Sequence, residues 1–305
     1  MPSLNFAKLL GRRYRARMAS EVFTLGHSPD PDDAFMFYAM AENKIDLRGY
    51  RFEHRLEDIQ TLNERALRGE LHISAISIHA FAYVSDRYAL LPCGASMGDG
   101  YGPMVVAVNH EGLPVDPADD QVRAWLKGRT IAVPGRMTSA YLALQLYLGD
   151  FDHTVVPFDR IFDAVKSGQA AAGLIIHEGQ LTYARSGFKK VVDLGEWWKR
   201  ETGLPLPLGG NVLRKDIAPP VQRDLLAIMR ESIDYGLAHR QEAVAHSMPY
   251  ARDMDAGLAG KFIGMYVNDY TRDYGQTGRK AVREFLRVAH ERGYLEKAPL
   301  VEFAE

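Results

Sequence analysis

The feature that most constrains the fold of this chain is an alternation of short β-rich runs with helical patterns, which starts at Val22. VFTLGHS is predicted to be the first strand and YRFEHRL the second, and the segment after Pro31 between them has the pattern of a buried helix. Strands that alternate with helices are typical of βαβ units and of mostly parallel sheets. The sequence therefore predicts an α/β fold.

Chain length and two segments rich in glycine and proline indicate that this fold has two lobes. At 305 residues, the chain exceeds the usual size of one domain. GYGPMVVAV at 100–108 and GLPLPLGGNV at 203–212 each include an apolar strand, and such segments suit crossovers between lobes. We predict a disordered tail at 1–20, a discontinuous first lobe at 21–104 and 208–305, and a second lobe at 105–207.

Composition excludes several classes of partner. The chain has 37 Lys and Arg against 39 Asp and Glu, a formal net charge of −2, so no overall field attracts nucleic acid or an anionic membrane. No segment has the length and hydrophobicity of a membrane span. Cys93 is the single cysteine, and the first twenty residues lack the apolar stretch of a secretory signal. We therefore expect a cytoplasmic protein that binds a small molecule.

Four loops at predicted strand ends contain the candidate site residues, because ligands of open α/β sheets bind at these ends. The first loop, SPDPDDAF at 28–35, places three carboxylates and a serine in a turn before a helix. One or two aspartates there are ordinary helix caps, whereas three exceed what capping needs. His27 adjoins them, but no two-histidine helical motif is present, so we predict no metal.

The second loop, PGRMTSAY at 134–141, is a strand-to-helix turn with Thr138 and Ser139 at the predicted helix start. Free N–H groups, hydroxyls and the positive end of the helix dipole together form an anion site. The same two residues are also good helix caps, and their spacing does not separate these interpretations.

The other two loops supply a hydroxyl group and an imidazole. Ser77 could hydrogen-bond a ligand oxygen or could only pack in its strand. His177 follows the apolar run of GLIIHEG and could move a proton at a closed cleft or serve as a structural hydrogen-bonding group. No G-x-S-x-G, P-loop, G-x-G-x-x-G or paired-cysteine motif is present, which favours chemistry without a cofactor.

Taken together, the motifs resemble those of the 1,4-dihydroxy-6-naphthoate synthase family, which acts in the futalosine route to menaquinone. The similarity extends over nearly the whole chain from Val22, and five segments match in the same order. They are SPDPDDAF at 28–35, LEDIQTLN at 56–63, PGRMTSAY at 134–141, GLIIHE at 173–178 and GLPLPLG at 203–209. The resemblance implies a type II periplasmic-binding-protein fold with a ligand cleft between two lobes.

The resemblance also implies a cofactor-independent lyase that converts cyclic dehypoxanthine futalosine to 1,4-dihydroxy-6-naphthoate and releases dihydroxyacetone. The histidine of the family matches His177, which would be the general base. The hydroxyl pair matches Thr138 and Ser139, and Ser77 matches another serine that contacts the ligand. Further expected contacts of the carboxylated substrate are Ser28, Asp30, Asp32, Asn63, Arg136 and Ile176.

Four residues depart from the family pattern near the expected site. Asp30, Asp32 and Ala34 stand where the family has Cys, Asn and Thr, and Ala75 stands where it has Lys. Each extra carboxylate repels an anionic substrate by about 1 kcal/mol or more at close range. Arg136 or another cation could compensate, one carboxylate could be protonated, or the enzyme could be a paralogue of chorismate dehydratase type with another ligand. A non-catalytic solute-binding protein of the same fold is the other alternative.

Overall fold

The computed structural model describes residues 21–108, 111–114, 116–252 and 254–305. The predicted tail at 1–20 lies outside these residues. The strands are β1 (Val22–His27), β2 (Arg51–Leu56), β3 (Ile73–Ser77), β4 (Tyr88–Leu90), β5 (Ser96–Gly98), β6 (Met104–Ala107), β7 (Ile131–Val133), β8 (His153–Val155), β9 (Ala172–Ile175), β10 (Lys189–Asp193) and β11 (Leu206–Arg214).

Helices follow most of these strands, and the C-terminal third is largely helical, as the apolar spacing predicts. The helices are α1 (Pro31–Ala41), α2 (Ile59–Arg68), α3 (Ile78–Phe81), α4 (Asp119–Leu126), α5 (Ser139–Leu148), α6 (Ile161–Lys166), α7 (Gly179–Thr182), α8 (Leu194–Thr202), α9 (Pro219–Ala238), α10 (Arg240–Ser247), α11 (Ala256–Tyr266), α12 (Asp269–Arg272) and α13 (Gly275–Glu291). Short 3₁₀ turns lie at Phe158–Arg160 and Met248–Tyr250.

The strands form two sheets, with the order β2-β1-β3-β11-β4 in the first and β10-β6-β9-β7-β8 in the second, and β5 pairs with β11. Both sheets are mixed. β1 is parallel to β2 and β3, and β7 is parallel to β8 and β9. β11 is antiparallel to β3, β4 and β5, and β6 is antiparallel to β9 and β10. The prediction of mostly parallel sheets is wrong because β6 and β11 enter their sheets from the other lobe and not through a βαβ crossover.

Two connections join the sheets, and they lie in the two segments rich in glycine and proline. β5 leads to β6 through residues 99–103, and α8 leads to β11 through residues 203–205. The first sheet therefore contains strands from before and after the second sheet in the chain. β6 begins at Met104 and β11 at Leu206, and we retain the predicted lobe boundaries as a proposal.

Local sequence signals explain where α2 begins and ends. The side chain of Asp58 accepts the N–H groups of Gln60 and Thr61 at 3.0 and 3.1 Å, which satisfies donors that have no partner inside the helix. Gly69 follows the helix in the left-handed conformation, with φ of 71°, which glycine adopts without steric cost. Gly69 therefore ends α2.

The apolar core joins the lobes on one side. One cluster of buried residues includes Leu90 and Phe285 of the first lobe with Val133 and Trp198 of the second. The rings of Trp198 and Phe285 pack edge to face with their centroids 5.4 Å apart. The open space between the lobes lies at the carboxyl ends of β1, β3, β7 and β9. No helix in the described part of the chain is long and apolar enough to cross a membrane.

Candidate ligand site between the lobes

A cavity lies between the lobes and contains about 780 Å³ of space free of protein atoms, including its mouth. Its walls include the loops that follow β1, β3, β7 and β9, where ligands of α/β sheets bind, together with residues of β11 and α11. Seven of the residues predicted from the sequence line it: Ser28, Asp30, Asp32, Ser77, Thr138, Ser139 and Ile176. The side chains of Met36, Phe262 and Tyr266 add apolar and aromatic surface.

The acidic loop of the first lobe is held by its own hydrogen bonds. Asp33 Oδ2 accepts the N–H of Ser28 at 2.6 Å, and Ser28 Oγ donates to Asp30 Oδ2 at 3.0 Å. Pro31 is the first residue of α1, so this position has no N–H to offer a ligand. The start of α1 therefore presents carboxyl groups to the cavity.

Burial changes the charge of this loop. It raises the pKa of Asp33 to about 7. It also raises the pKa of Asp32 well above its usual value, and the neighbouring charges of Asp33 and Asp30 act in the same direction. For Asp30, burial and the nearby Glu178 raise the pKa, while Arg252 opposes them. Burial therefore favours the protonated forms of Asp32 and Asp33, so the loop carries less negative charge than three ionised carboxyl groups would.

The cation that compensates Asp30 is Arg252. Its guanidinium contacts Asp30 Oδ1 at 3.2 Å and Glu178 Oε1 at 3.0 Å. Arg136, which the sequence offered for this role beside other cations, is exposed, and its Nε donates to His153 Nε2 at 2.9 Å. Arg136 is not among the residues that line the cavity. Sequence reasoning missed Arg252 because no motif marks a residue 222 positions after Asp30.

The second lobe presents the start of α5 to the cavity. Thr138 Oγ1 accepts the N–H of Tyr141 at 3.1 Å and donates to Gly135 O at 2.8 Å. Ser139 Oγ donates to Leu208 O and accepts the N–H of His79. Both hydroxyls are thus engaged by the protein.

The backbone N–H groups of Ser139 and Ala140 have no hydrogen-bond partner among the described residues. Both residues line the cavity. Because the first N–H groups of a helix have no partner inside it, they can bind an anion. The capacity to hold an anion therefore lies in the backbone of α5 and less in the two hydroxyls that the sequence indicated.

Asn63 holds Ser77 in place through two hydrogen bonds. Its Nδ2 donates to Ser77 Oγ at 3.0 Å, and its Oδ1 accepts the N–H of Ser77 at 2.9 Å. Its side chain is fully buried and does not line the cavity. Asn63 thus fixes Ser77, which is the residue that faces the ligand space.

His177 follows β9, and its imidazole is fixed by two hydrogen bonds. Nε2 lies 2.9 Å from Phe158 O, and Nδ1 accepts the N–H of Gly179 at 3.0 Å. A carbonyl only accepts and a backbone N–H only donates, so these partners require a neutral ring with its proton on Nε2. Ile176 lines the cavity, whereas the imidazole is not among the lining groups and packs against Phe158.

The lobes contact each other beside the cavity. Gln60 Oε1, from the first lobe, accepts the N–H of Met137 at 3.2 Å. A Cβ atom on Gly135 would lie 2.2 Å from the same oxygen, so a side chain at this position would displace Gln60. A second hydrogen bond between the lobes runs from the hydroxyl of Tyr266, in the first lobe, to Gln180 Oε1, in the second. The structure therefore shows the lobes closed on the cavity.

Within the described ranges, no three His, Cys, Asp or Glu side chains are placed so that they could hold a metal ion. The cavity offers backbone donors on one wall and carboxyl groups on the other. This arrangement suits an organic ligand with one anionic end and one hydrogen-bond-donating end.

Comparisons with known proteins agree with the motifs. A family model described as menaquinone biosynthesis matches residues 23–291. A 1,4-dihydroxy-6-naphthoate synthase of Thermus thermophilus is 39% identical over 279 residues, which cover 92% of this chain and 98% of the relative. An enzyme with the same name from Streptomyces coelicolor is 34% identical over 282 residues, covering 90% of this chain and 95% of that protein.

Solved structures support the predicted fold. A crystal structure of an Archaeoglobus fulgidus protein has a TM-score of 0.83 at 44% identity and covers 90% of this chain and 98% of that one. An alkanesulfonate-binding protein from Xanthomonas axonopodis has a TM-score of 0.70 at 11% identity over 92% of this chain and 96% of its own, and this likeness shows only the periplasmic-binding-protein-like fold. This chain therefore belongs to the menaquinone-biosynthesis family that contains the 1,4-dihydroxy-6-naphthoate synthases.

Proposed function

We propose that this enzyme is a cofactor-independent carbon–carbon lyase, which converts cyclic dehypoxanthine futalosine to 1,4-dihydroxy-6-naphthoate and releases dihydroxyacetone. The observation that carries the proposal is that the open helix start at Ser139 and Ala140 faces the same closed cavity as the acidic loop at 28–33. The substrate has a carboxylate at one end and a hydroxylated three-carbon fragment at the other. Its carboxylate fits the N–H groups of α5, and its hydroxyls fit the carboxyl groups of the loop.

His177 is the general base in this proposal. A base removes a proton, C–C and C–O bonds then break, and the ring becomes aromatic, which stabilises the products. The lone pair of the neutral imidazole accepts the N–H of Gly179, so the ring must give up this bond and turn toward the cavity before it can accept a proton from a substrate. A general base contributes about 10²- to 10⁴-fold to the rate, and closure of the lobes excludes water from the reaction.

The proposal is tested by incubating the purified protein with cyclic dehypoxanthine futalosine and following naphthoate fluorescence. We expect turnover by the unchanged protein and a loss of about 10²- to 10⁴-fold in kcat for His177→Ala. His239→Ala is the matched control, because His239 is exposed and stacks on Tyr235, and it should keep full activity. Wild-type protein that forms no more product than His177→Ala would exclude the lyase.

A second candidate is an enzyme of the same scaffold that acts on another carboxylated ring, of the chorismate dehydratase type. Asp30 and Asp32 favour it, since these two carboxyl groups are departures from the synthase pattern and both line the cavity. The same preparation should therefore be offered chorismate. Consumption of chorismate but not of the futalosine derivative would replace the lyase with the dehydratase, and tight binding of either without turnover would favour solute binding.

A further inference from the structure

One arginine bridges the two lobes next to the proposed base. We propose that Arg252 is a positioning residue: it joins Asp30 of the first lobe to Glu178 of the second and so holds the loop that carries His177 in place when the lobes close. This inference rests on the proposed function, because it concerns the base of that reaction.

The bridge consists of one guanidinium and two carboxyl groups from separate parts of the chain. Arg252 lies between the 3₁₀ turn at Met248–Tyr250 and α11, Asp30 precedes α1, and Glu178 follows β9. The contacts measure 3.2 Å to Asp30 and 3.0 Å to Glu178. Side-chain exposure falls from 33% for Arg252 to 23% for Asp30 and 9% for Glu178. A carboxylate as buried as Glu178 needs a charged partner, and Arg252 provides it.

Arg252 also contacts Phe158, whose carbonyl is a hydrogen-bond partner of the His177 imidazole. Its guanidinium lies over the ring of Phe158, 4.6 Å from the centroid, and the carbonyl of Phe158 is the partner of His177 Nε2. Glu178 follows His177 in the chain. Its Oε2 lies 3.7 Å from His177 Nδ1 and has no hydrogen-bond partner among the described residues. Arg252 thus touches Phe158, which provides one of the two hydrogen-bond partners of the imidazole, and Glu178, which follows His177 in the chain.

The backbone at Arg252 is unusual. Its φ is 25°, a value that residues with a side chain seldom adopt. Such a conformation persists only where surrounding contacts hold it. At Arg252 these contacts are the two ion pairs, the ring contact and the N–H of Met254, which the Arg252 carbonyl accepts.

The bridge should act on turnover more than on substrate affinity. Arg252 is not among the residues that line the cavity, so it makes no direct contact with a ligand there. When the lobes separate, Glu178 leaves Arg252 and becomes hydrated. When they close, the bridge forms again and orders the loop around His177.

Steady-state kinetics of Arg252→Gln in the full chain tests the role. We expect kcat to fall about tenfold or more while KM stays within about threefold, and Arg252→Lys to recover part of the loss because it keeps the charge. In a double variant with Glu178→Gln, the two losses should not add, since both act through one contact. Arg272→Gln is the control: it breaks an exposed ion pair with Asp234 and should leave kcat unchanged.

A second measurement does not depend on turnover. Spin labels on cysteines introduced at the exposed positions Arg160 and Lys261 report the distance between the lobes, and Cys93 is fully buried and should remain unlabelled. Arg252→Gln should lengthen this distance in the ligand-free protein. If the wild-type protein forms naphthoate and Arg252→Gln leaves kcat unchanged, the positioning role is wrong. If the wild-type protein forms no naphthoate, the proposed function fails. The distance between the spin labels then decides by itself whether Arg252 bridges the lobes.

Discussion

Two strand-to-helix turns face each other across the cavity and offer it opposite chemistry. The turn from β1 to α1 begins its helix with Pro31 and places Asp32 and Asp33 in the first turn. The turn from β7 to α5 is capped by Thr138 and has no acidic residue in its first turn. Both helices direct the positive end of their dipole toward the ligand space. At α1 the N–H groups of Asp32 and Asp33 lie beside the Asp32 carboxyl group, whereas the first turn of α5, with the N–H groups of Ser139 and Ala140, contains no acidic residue.

The difference shows that the fold supplies two equivalent positions and that a few side chains decide how each is used. At α1, carboxyl groups occupy the positive end of the dipole and a proline removes one donor, so this position binds an anion less readily than the start of α5. At α5, the hydroxyls bind within the protein and the backbone remains available to an anion. The ligand is therefore expected to bind in one orientation, with its carboxylate at α5.

Among the changes that test this comparison of the two turns, removing a donor at α5 should have the largest effect. Ser139→Pro deletes the N–H and the hydroxyl, whereas Ser139→Ala deletes only the hydroxyl. Proline is tolerated at the first helical position, and Thr138 is already extended, with φ of −74° and ψ of 146°. A hydrogen bond to a charged group contributes about 1.5–3 kcal/mol, so KM should rise about 10- to 100-fold more for Ser139→Pro. Equal KM values would disprove anion binding at this N–H.

Gly135→Ala tests whether the two turns must approach each other. The new Cβ would lie 2.2 Å from Gln60 Oε1, so Gln60 must move and its bond to Met137 is lost. We expect kcat/KM to fall about tenfold, equivalent to about 1.4 kcal/mol. Adding Gln60→Ala should restore part of the activity, and Gln60→Ala alone is the control. Full activity of Gly135→Ala would show that this contact is dispensable.

Asp32→Asn tests the charge of the acidic turn. The pKa of Asp32 in the folded state is raised above 3.8, so the folded protein binds the Asp32 proton more tightly than the unfolded chain does. This tighter binding adds to the free energy of unfolding at low pH, and the added stability is lost as the pH rises through the folded-state pKa. The variant should exceed the wild type in free energy of unfolding at pH 8 and match it near pH 4. Urea unfolding at both pH values measures this. A pH-independent difference would contradict the shifted pKa.

Arg136→Gln should have the smallest effect. Arg136 is exposed and contacts His153, so we expect a change of no more than about 0.5 kcal/mol in the free energy of unfolding and kcat/KM within twofold of wild type. Kinetics and thermal unfolding of the variant, run beside Arg252→Gln, provide the measurement. A large rise in KM would show that Arg136 does contribute to ligand binding. Arg252 would then not be the one arginine of this pair that acts at the site.

Much of the architecture is predictable from the sequence alone, because local rules act on neighbouring residues. Asp58 caps α2 and Gly69 ends it, and the alternation of strands and helices places the four loops at strand ends. The five motifs identify the family, and seven predicted residues line the cavity. Each of these signals depends on the periodicity of burial or on backbone groups a few positions apart.

Only the tertiary structure decides how these loops meet. Three features of the site join residues that are 14 to 222 positions apart in the chain. They are the antiparallel pairing of β11 with β3, the hydrogen bonds from Asn63 to Ser77 and the ion pair between Asp30 and Arg252. The orientation of the His177 imidazole depends on the carbonyl of Phe158 and the N–H of Gly179. Which charges face each other across the cavity is set by how two separately formed lobes pack, and no local pattern in the sequence encodes that packing.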